Sequence, residues 1–321
     1  MLNQSNQVGN LDYLNLSSIQ NDPIYLFHSS RATHLNLKAI QSAHGKRILF
    51  RHFTPALDYF APYSRTVYRD LSKERLVLEE SIQYFDLALA DNEETSDDLR
   101  QIGFSKVLVA PYLQSPRDFG TVQSDTTFHR LLGEEKLTFI TCAEFTPNQR
   151  VEDVIRLFGW YQRYVRSECR LLLLGEVVPE DYLVILKDLT QSLGLQNQVS
   201  FLTHLNLSET KACFEAADLF LSLSETGSPL REFMEATQFG IPVISSATRC
   251  AENFWGDSGI YVKQLDIPVL AEHVDLLLND QAFRSTVVAH QLGRSRQFLL
   301  ENSVDKLREQ LAQNLVGIVA H

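Results

Sequence analysis

Leu137-Thr138-Phe139-Ile140-Thr141-Cys142 is an uninterrupted apolar and β-favouring run, and it reads as a buried strand. Behind it Val151, Val154, Ile155 and Phe158 recur at i, i+3, i+4 and i+7, the spacing of one buried helix face. The next apolar run, 171–174, stops at Gly175. Tyr182, Ile185, Leu186, Leu189 and Leu193 then mark a second amphipathic helix that ends at Gly194. Further strands are expected at 199–202, 219–223, 242–245 and 259–262, with helices near 208–216 and 229–239. For the latter helix, Ser228 is the expected N-cap and Pro229 the first helical residue, with Gly240 and Pro242 as the stop. Strand and helix alternating in this way build a parallel sheet wrapped by helices.

The pattern extends outward in both directions. Upstream, strands are expected at 23–28, 47–51, 86–90 and 106–110, with helices near 33–43, 66–83 and 92–102. The stretch 114–133 is polar, holds Pro116 and Gly120, and shows no sustained period, so it reads as an interdomain connection. Helical sequence from about 281 to 318 closes the chain. A length of 321 residues leaves room for two cores. The expected division is a shortened, Rossmann-like first domain over 1–113, a linker over 114–134, a second Rossmann-like domain over 135–280 and C-terminal helices over 281–321. Two open α/β sheets place the carboxyl ends of their strands at a cleft, where such folds bind ligands. Dinucleotide redox chemistry needs a GxGxxG turn between a strand and a helix, and the chain has none.

Composition narrows the classes further. Hydrophobic residues make up 44% and charged residues 21%, which is globular rather than disordered or fibrous. No apolar run is long enough to span a membrane, and residues 1–10 are polar, so neither a transmembrane segment nor a secretory signal is expected. Cys142, Cys169, Cys213 and Cys250 show no CxxC spacing and suggest no metal site; reduced thiols and a cytoplasmic location are expected. The net charge is −11, of which −2 falls in residues 1–130 and −9 in residues 131–321. An acidic chain lacks the basic face that nucleic-acid binding requires.

Several ordered motifs resemble the retaining GT-B glycosyltransferases of family 4, particularly the mannosyltransferase-like branch. Thr146-Pro147-Asn148-Gln149-Arg150 with Glu152-Asp153 is similar to that family's A-P-N-K-R-x-E-D loop. Ala216-Ala217-Asp218-Leu219-Phe220-Leu221-Ser222-Leu223-Ser224-Glu225 resembles Y-x-x-A-D-V-F-L-S-x-S-E, and Glu235-Ala236 with Gly240-Ile241-Pro242-Val243-Ile244 resembles E-A-M-x-x-G-x-P-V-I. In the first half Arg51-His52-Phe53-Thr54-Pro55 is similar to Y-H-N-I-T-P, and Leu99-Arg100-Gln101-Ile102-Gly103-Phe104 to E-L-x-x-x-G-F. The resemblance covers most of the chain. It implies a GT-B-like fold, no cofactor or metal, and a UDP- or GDP-linked sugar as donor.

The resemblance also implies site residues. Such an enzyme stabilises the charge growing on a departing diphosphate with cationic side chains or helix N-termini. Where the family supplies an arginine and a lysine, this chain has Glu144 and Gln149; Arg150 is the nearby cation, read either as a shifted phosphate clamp or as a solvated helix-start arginine. The family's paired glutamates place Glu235 on the ribose hydroxyls and a second glutamate near the transferred sugar; Gly227 holds that second position, and Glu225, two residues away, is the residue expected to serve there as the catalytic carboxylate. Arg231 and Glu235, at i and i+4, alternatively pair on the helix surface. Ser224, Gly227 and Ser228 fall in the donor-side loop, and His204 follows the strand near which the base lies. His28, at the end of the first expected strand, falls where the family has an acceptor-facing histidine; its plainer reading is a packing residue, and His52 is open to both.

Two further expectations concern partners. The first domain lacks the family's leading strand and glycine-rich turn, and an incomplete sheet exposes an edge that another chain, a second copy or a glycosyltransferase partner, would cover. Arg65, Arg69 and Lys73 form a basic stripe, read as contact with an anionic glycan acceptor or a membrane-associated partner, or as a solvated face interleaved with Asp70 and Glu74. The resemblance implies two readings: hexosyl transfer, with mannose as the sugar of its nearest branch, from a nucleotide-sugar in surface-glycan assembly, with a weakened donor site completed by a partner; and a non-catalytic relative that stabilises or regulates an active glycosyltransferase.

Overall fold

The computed structural model describes residues 5–7, 12–19, 22–29, 37–42, 44–51, 62–110, 112, 115–132, 136–176, 180–227, 229–301 and 304–316. Its strands are β1 (Ser5–Gln7), β2 (Asp12–Ile19), β3 (Asp22–Ser29), β4 (Lys46–Arg51), β5 (Leu87–Ala90), β6 (Val107–Val109), β7 (Leu137–Cys142), β8 (Cys169–Leu174), β9 (Val199–Leu202), β10 (Leu219–Ser222), β11 (Val243–Ser246) and β12 (Ile260–Val262). Its α-helices are α1 (Leu37–Ser42), α2 (Arg65–Ser81), α3 (Glu93–Ile102), α4 (Thr126–Leu132), α5 (Val151–Tyr164), α6 (Glu180–Ser192), α7 (Leu207–Glu215), α8 (Leu230–Gln238), α9 (Arg249–Trp255), α10 (Ile267–Asn279), α11 (Gln281–Glu301) and α12 (Val304–Val316). They divide between two units, one of residues 1–113 with 300–321 and the other of residues 114–299.

In the second unit the strand order is β12-β11-β10-β7-β8-β9, and every pair is parallel. All six residues of β7 are buried, as a strand covered on both faces requires. Gln291 of α11 donates to the Val243 carbonyl at 2.8 Å and accepts from its amide at 2.9 Å, completing the backbone pairing at the start of β11. The segment before β7 is less irregular than its sequence suggests. It contains a short 3-10 turn, Phe119–Thr121, and the helix α4, whose entry is fixed by a 2.8 Å bond from the Phe128 amide to Asp125.

The first unit has the order β1-β2-β3-β4-β5-β6, parallel from β3 to β6 and antiparallel from β1 to β3. Adjacent residues alternate between two cores, as the period of two demands. Phe27, Leu49 and Ala88 join Ile40, Leu78, Leu99 and Phe104 on one side, whereas Leu26, Ile48 and Leu87 join Leu311 and Leu315 of α12 on the other. β1 and β2 are not anticipated from the sequence: β2 pairs antiparallel with β3, which leaves β1 as the outermost strand on that side of the sheet. The basic stripe lies on α2, where Arg69 and Lys73 both sit beside Asp70, at 3.7 and 3.9 Å.

Candidate functional site

The loop after β7 is shaped by close backbone approach. The Ala143 amide donates to the Leu174 carbonyl and the Phe145 amide to the Glu176 carbonyl, both at 2.9 Å. Gly175 is required there, because a Cβ at that position would stand 1.7 Å from the Ala143 carbonyl oxygen. A 3-10 turn, Pro147–Gln149, follows, and Arg150 enters α5 in the left-handed region at φ 51° and ψ 38°. The loop after β10 runs beside it. The Glu225 amide donates to the Asn148 carbonyl at 3.0 Å, and Asn148 Nδ2 to Thr226 Oγ1 at 3.3 Å. Ser224, buried, donates to the Gly227 carbonyl at 3.2 Å. Gly227 takes φ 67°, a turn that a side chain would strain, and directs the chain into α8.

The two loops bring Arg150 onto carboxylates. Its Nε donates to Asp153 at 2.7 Å, its Nη1 donates to Glu225, and Glu152 lies 3.8 Å away. Burial works against the Arg150 charge, but the hydrogen bond to Asp153 and the charges of Asp153, Glu225 and Glu152 outweigh it and hold the guanidinium pKa above its usual value. Burial raises the Glu152 carboxyl, opposed by a hydrogen bond from the Tyr182 hydroxyl. The sequence left Arg150 open between phosphate clamp and helix-start residue; here it is an ion-pair hub whose charge is met by three acidic side chains.

Glu235 is engaged within the protein as well. It lies among Phe233, Met234 and Ala236 on the buried side of α8, with 0% of its side chain exposed. A carboxylate there requires compensation. Arg117 supplies it: the backbone amide donates to Oε1 at 2.9 Å, Nε to Oε1 at 2.8 Å and Nη2 to Oε2 at 2.5 Å. Arg117 thus covers the carboxylate oxygens that the resemblance assigns to the ribose hydroxyls. Arg231, offered as its helix-surface partner, bonds chiefly to Glu232 at 3.0 Å and stands 4.0 Å from Glu235.

Arg117 escaped the sequence reading because 118 positions separate it from Glu235. The available signal was indirect: a glutamate within the apolar face of α8 demands a cation from elsewhere. Two anchors hold the arginine. Phe119 packs against Phe214 and Phe239, with ring centroids 5.9 and 5.3 Å apart, and Lys211 donates to the carbonyls of Phe119 and Val122 at 3.0 and 2.9 Å.

The other expected residues do not all converge. Ser224, Glu225 and Gly227 share the loop after β10 with Arg150 as neighbour. His204 instead follows β9, the outermost strand on that side of the sheet, with β8 between β9 and β7, and is exposed. Its left-handed backbone, φ 57°, marks a turn. His28 belongs to β3 of the other unit, in register with Phe50, and its side chain lies outside the described residues, as do Ser228 and His52. Pro229, expected as the first helical residue, is the N-cap of α8 and offers no side-chain cap. Among the described residues no group of three or more His, Cys, Asp or Glu is placed to hold a metal ion, and no helix is long and apolar enough to cross a membrane.

Two α/β units, the second all-parallel and the first parallel from β3 to β6, with loops gathered at the carboxyl edge of the second sheet, give a GT-B type of fold. Residues 123–294 match the model of the glycosyl transferases group 1, and the chain belongs to that family. No curated protein matches the sequence. Among solved structures, HepE of Anabaena in complex with UDP-glucose is similar with a TM-score of 0.67 at 18% identity, over 92% of this chain and 79% of that one. A trehalose-6-phosphate protein from E. coli bound with UDP-2-fluoro glucose gives 0.67 at 14% identity, over 94% and 74%. Sucrose-phosphate synthase from Thermosynechococcus elongatus gives 0.63 at 16%, over 88% and 70%.

Proposed function

We propose that this chain takes part in retaining hexosyl transfer from a UDP- or GDP-linked sugar, possessing a donor site on the carboxyl edge of its second sheet that grips the nucleotide weakly by itself. A mannosyl donor and a surface-glycan acceptor follow from the family-4 resemblance. The observation that carries the reading is the junction of the loops after β7 and β10 at Arg150 and Glu225, within the stretch that matches the glycosyltransferase family. The UDP-glucose of HepE and the UDP-2-fluoro glucose of the E. coli protein support a nucleotide-sugar as the ligand class.

A second reading is favoured by one specific observation: three carboxylates meet the charge of Arg150, so little of it is left for a leaving diphosphate. On this reading the chain is a non-catalytic member that stabilises or regulates an active glycosyltransferase. Calorimetric titration of the purified chain with UDP, GDP, UDP-glucose and GDP-mannose separates the two. Saturable binding together with hydrolysis or transfer of the sugar supports the first reading. No heat at millimolar ligand, with the chain co-purifying with a glycosyltransferase, supports the second.

A further inference from the structure

We propose that Arg117 is the group that meets the donor's diphosphate and that Glu235 is its positioning residue. The inference rests on the donor-site reading above and reverses the expected role of Glu235. That carboxylate is fully buried, and three N–H groups of Arg117 converge on it. A sugar hydroxyl finds no exposed carboxylate surface there.

The arginine, by contrast, is partly exposed. Its Nε and Nη2 edge is spent on Glu235, and its Nη1 donates to no described residue, while 31% of its side chain is exposed. The open edge, Nη1 with the remaining hydrogen of Nη2, is a two-pronged donor of the geometry that phosphate oxygens accept. Taken together, Arg117 and Glu235 are neutral, so the pair offers an oxyanion directed N–H groups and a dipole pointing outward. Its orientation is paid for in advance: the backbone amide is tied to Glu235, the guanidinium carbon stands 5.4 Å from the Phe119 ring centroid, and Phe119 is itself anchored. Its partner Glu235 lies on α8, the helix that follows the loop after β10, so Arg117 is held against the element that this loop enters. Arg150 is exposed to a similar extent, 34% of its side chain, but three carboxylates, Asp153, Glu152 and Glu225, share its charge where Arg117 hydrogen-bonds to one.

The test compares UDP with uridine. In the native protein, modification of arginine by a dicarbonyl reagent is mapped by mass spectrometry; UDP is expected to protect Arg117 and uridine to leave it reactive. Arg117→Gln alone strands a buried carboxylate, so the deciding variant is Arg117→Gln with Glu235→Gln, which removes both charges together. This double variant is expected to bind UDP about tenfold or more weakly with uridine affinity unchanged, the loss of one charge-assisted hydrogen bond. UDP binding that is unchanged or tighter overturns the proposal and makes Arg117 a cover over Glu235. Equal loss of UDP and uridine overturns it too, as does a native protein that binds UDP and leaves Arg117 unprotected; the donor-site reading survives that last result. A native protein that binds neither UDP nor GDP removes the donor-site reading and this proposal with it.

Discussion

Arg150 donates through Nη1 to Glu225, and the Glu225 amide in turn donates to the Asn148 carbonyl at 3.0 Å, so two residues from loops after neighbouring strands are locked side by side. The lock depends on Arg150 holding a left-handed backbone, which costs an L-residue about 1–2 kcal/mol. Its ion pairs with Asp153 and Glu225 offset that cost.

The two contributions separate by substitution. Arg150→Gly and Arg150→Ala both lose the ion pairs, but only alanine retains the backbone strain at φ 51°. Urea denaturation is expected to find the alanine variant less stable than the glycine variant by about 1 kcal/mol. Equal stabilities would show that the left-handed turn is not kept in solution.

Lys211 clamps the segment that carries Arg117. Replacing it with methionine removes two charge-assisted hydrogen bonds to the carbonyls of Phe119 and Val122. Chymotryptic cleavage at Phe119, followed by mass spectrometry, is expected to accelerate by about tenfold or more as the segment opens locally. Cleavage at the wild-type rate would refute the clamp.

Glu152 gives the second unit a pH signature. Burial raises its carboxyl above the ordinary value of 4.5, so between that value and its folded-state pKa the native protein keeps a proton that the unfolded chain has lost. Its contribution to stability is fully present below pH 4.5 and is lost as the pH rises through the folded-state pKa. Glu152→Gln removes this dependence. The stability difference between wild type and variant is expected to move against the wild type across that window, measured by denaturation at a series of pH values; a flat difference would contradict it.

Two glycines are expected to respond in opposite directions to alanine. Gly175→Ala drives a Cβ into the Ala143 carbonyl and forces backbone movement, a loss of about 2 kcal/mol or more. Gly293 lies inside α11 with nothing within 4 Å of its would-be Cβ, so Gly293→Ala is expected to stabilise by about 1 kcal/mol. Thermal and urea denaturation check both.

The first unit contains a buried ion pair, Arg51 with Glu74 at 3.1 Å. Glu74→Ala leaves a buried arginine without that counter-charge, and a loss of about 3–5 kcal/mol is expected in urea denaturation. A loss below 1 kcal/mol would mean that water reaches the guanidinium.

Much of the second sheet was legible along the chain. The apolar run from Leu137 to Cys142 matches β7, and the runs around 171–174 and 199–202 match β8 and β9, because strands buried on both faces read as continuous hydrophobic stretches. β2, with sequence Asp12-Tyr13-Leu14-Asn15-Leu16-Ser17-Ser18-Ile19, is not legible along the chain: its residues mix polar and apolar, and its pairing with β3 is what defines it. α4 and α9 give no signal along the chain, because seven residues are too few for a period to establish itself.

Local pattern by itself determined that this chain alternates strand and helix and that Arg150, Ser224, Glu225 and Gly227 fall in loops beside one sheet, since burial periodicity and turn chemistry act over a few neighbouring residues. Which charges those loops leave available was decided only when the chain folded. Coulombic pairing ignores distance along the chain, so Glu235 acquired Arg117 and Arg150 acquired Glu225 through proximity in space, and those pairings set which counter-charge each arginine meets.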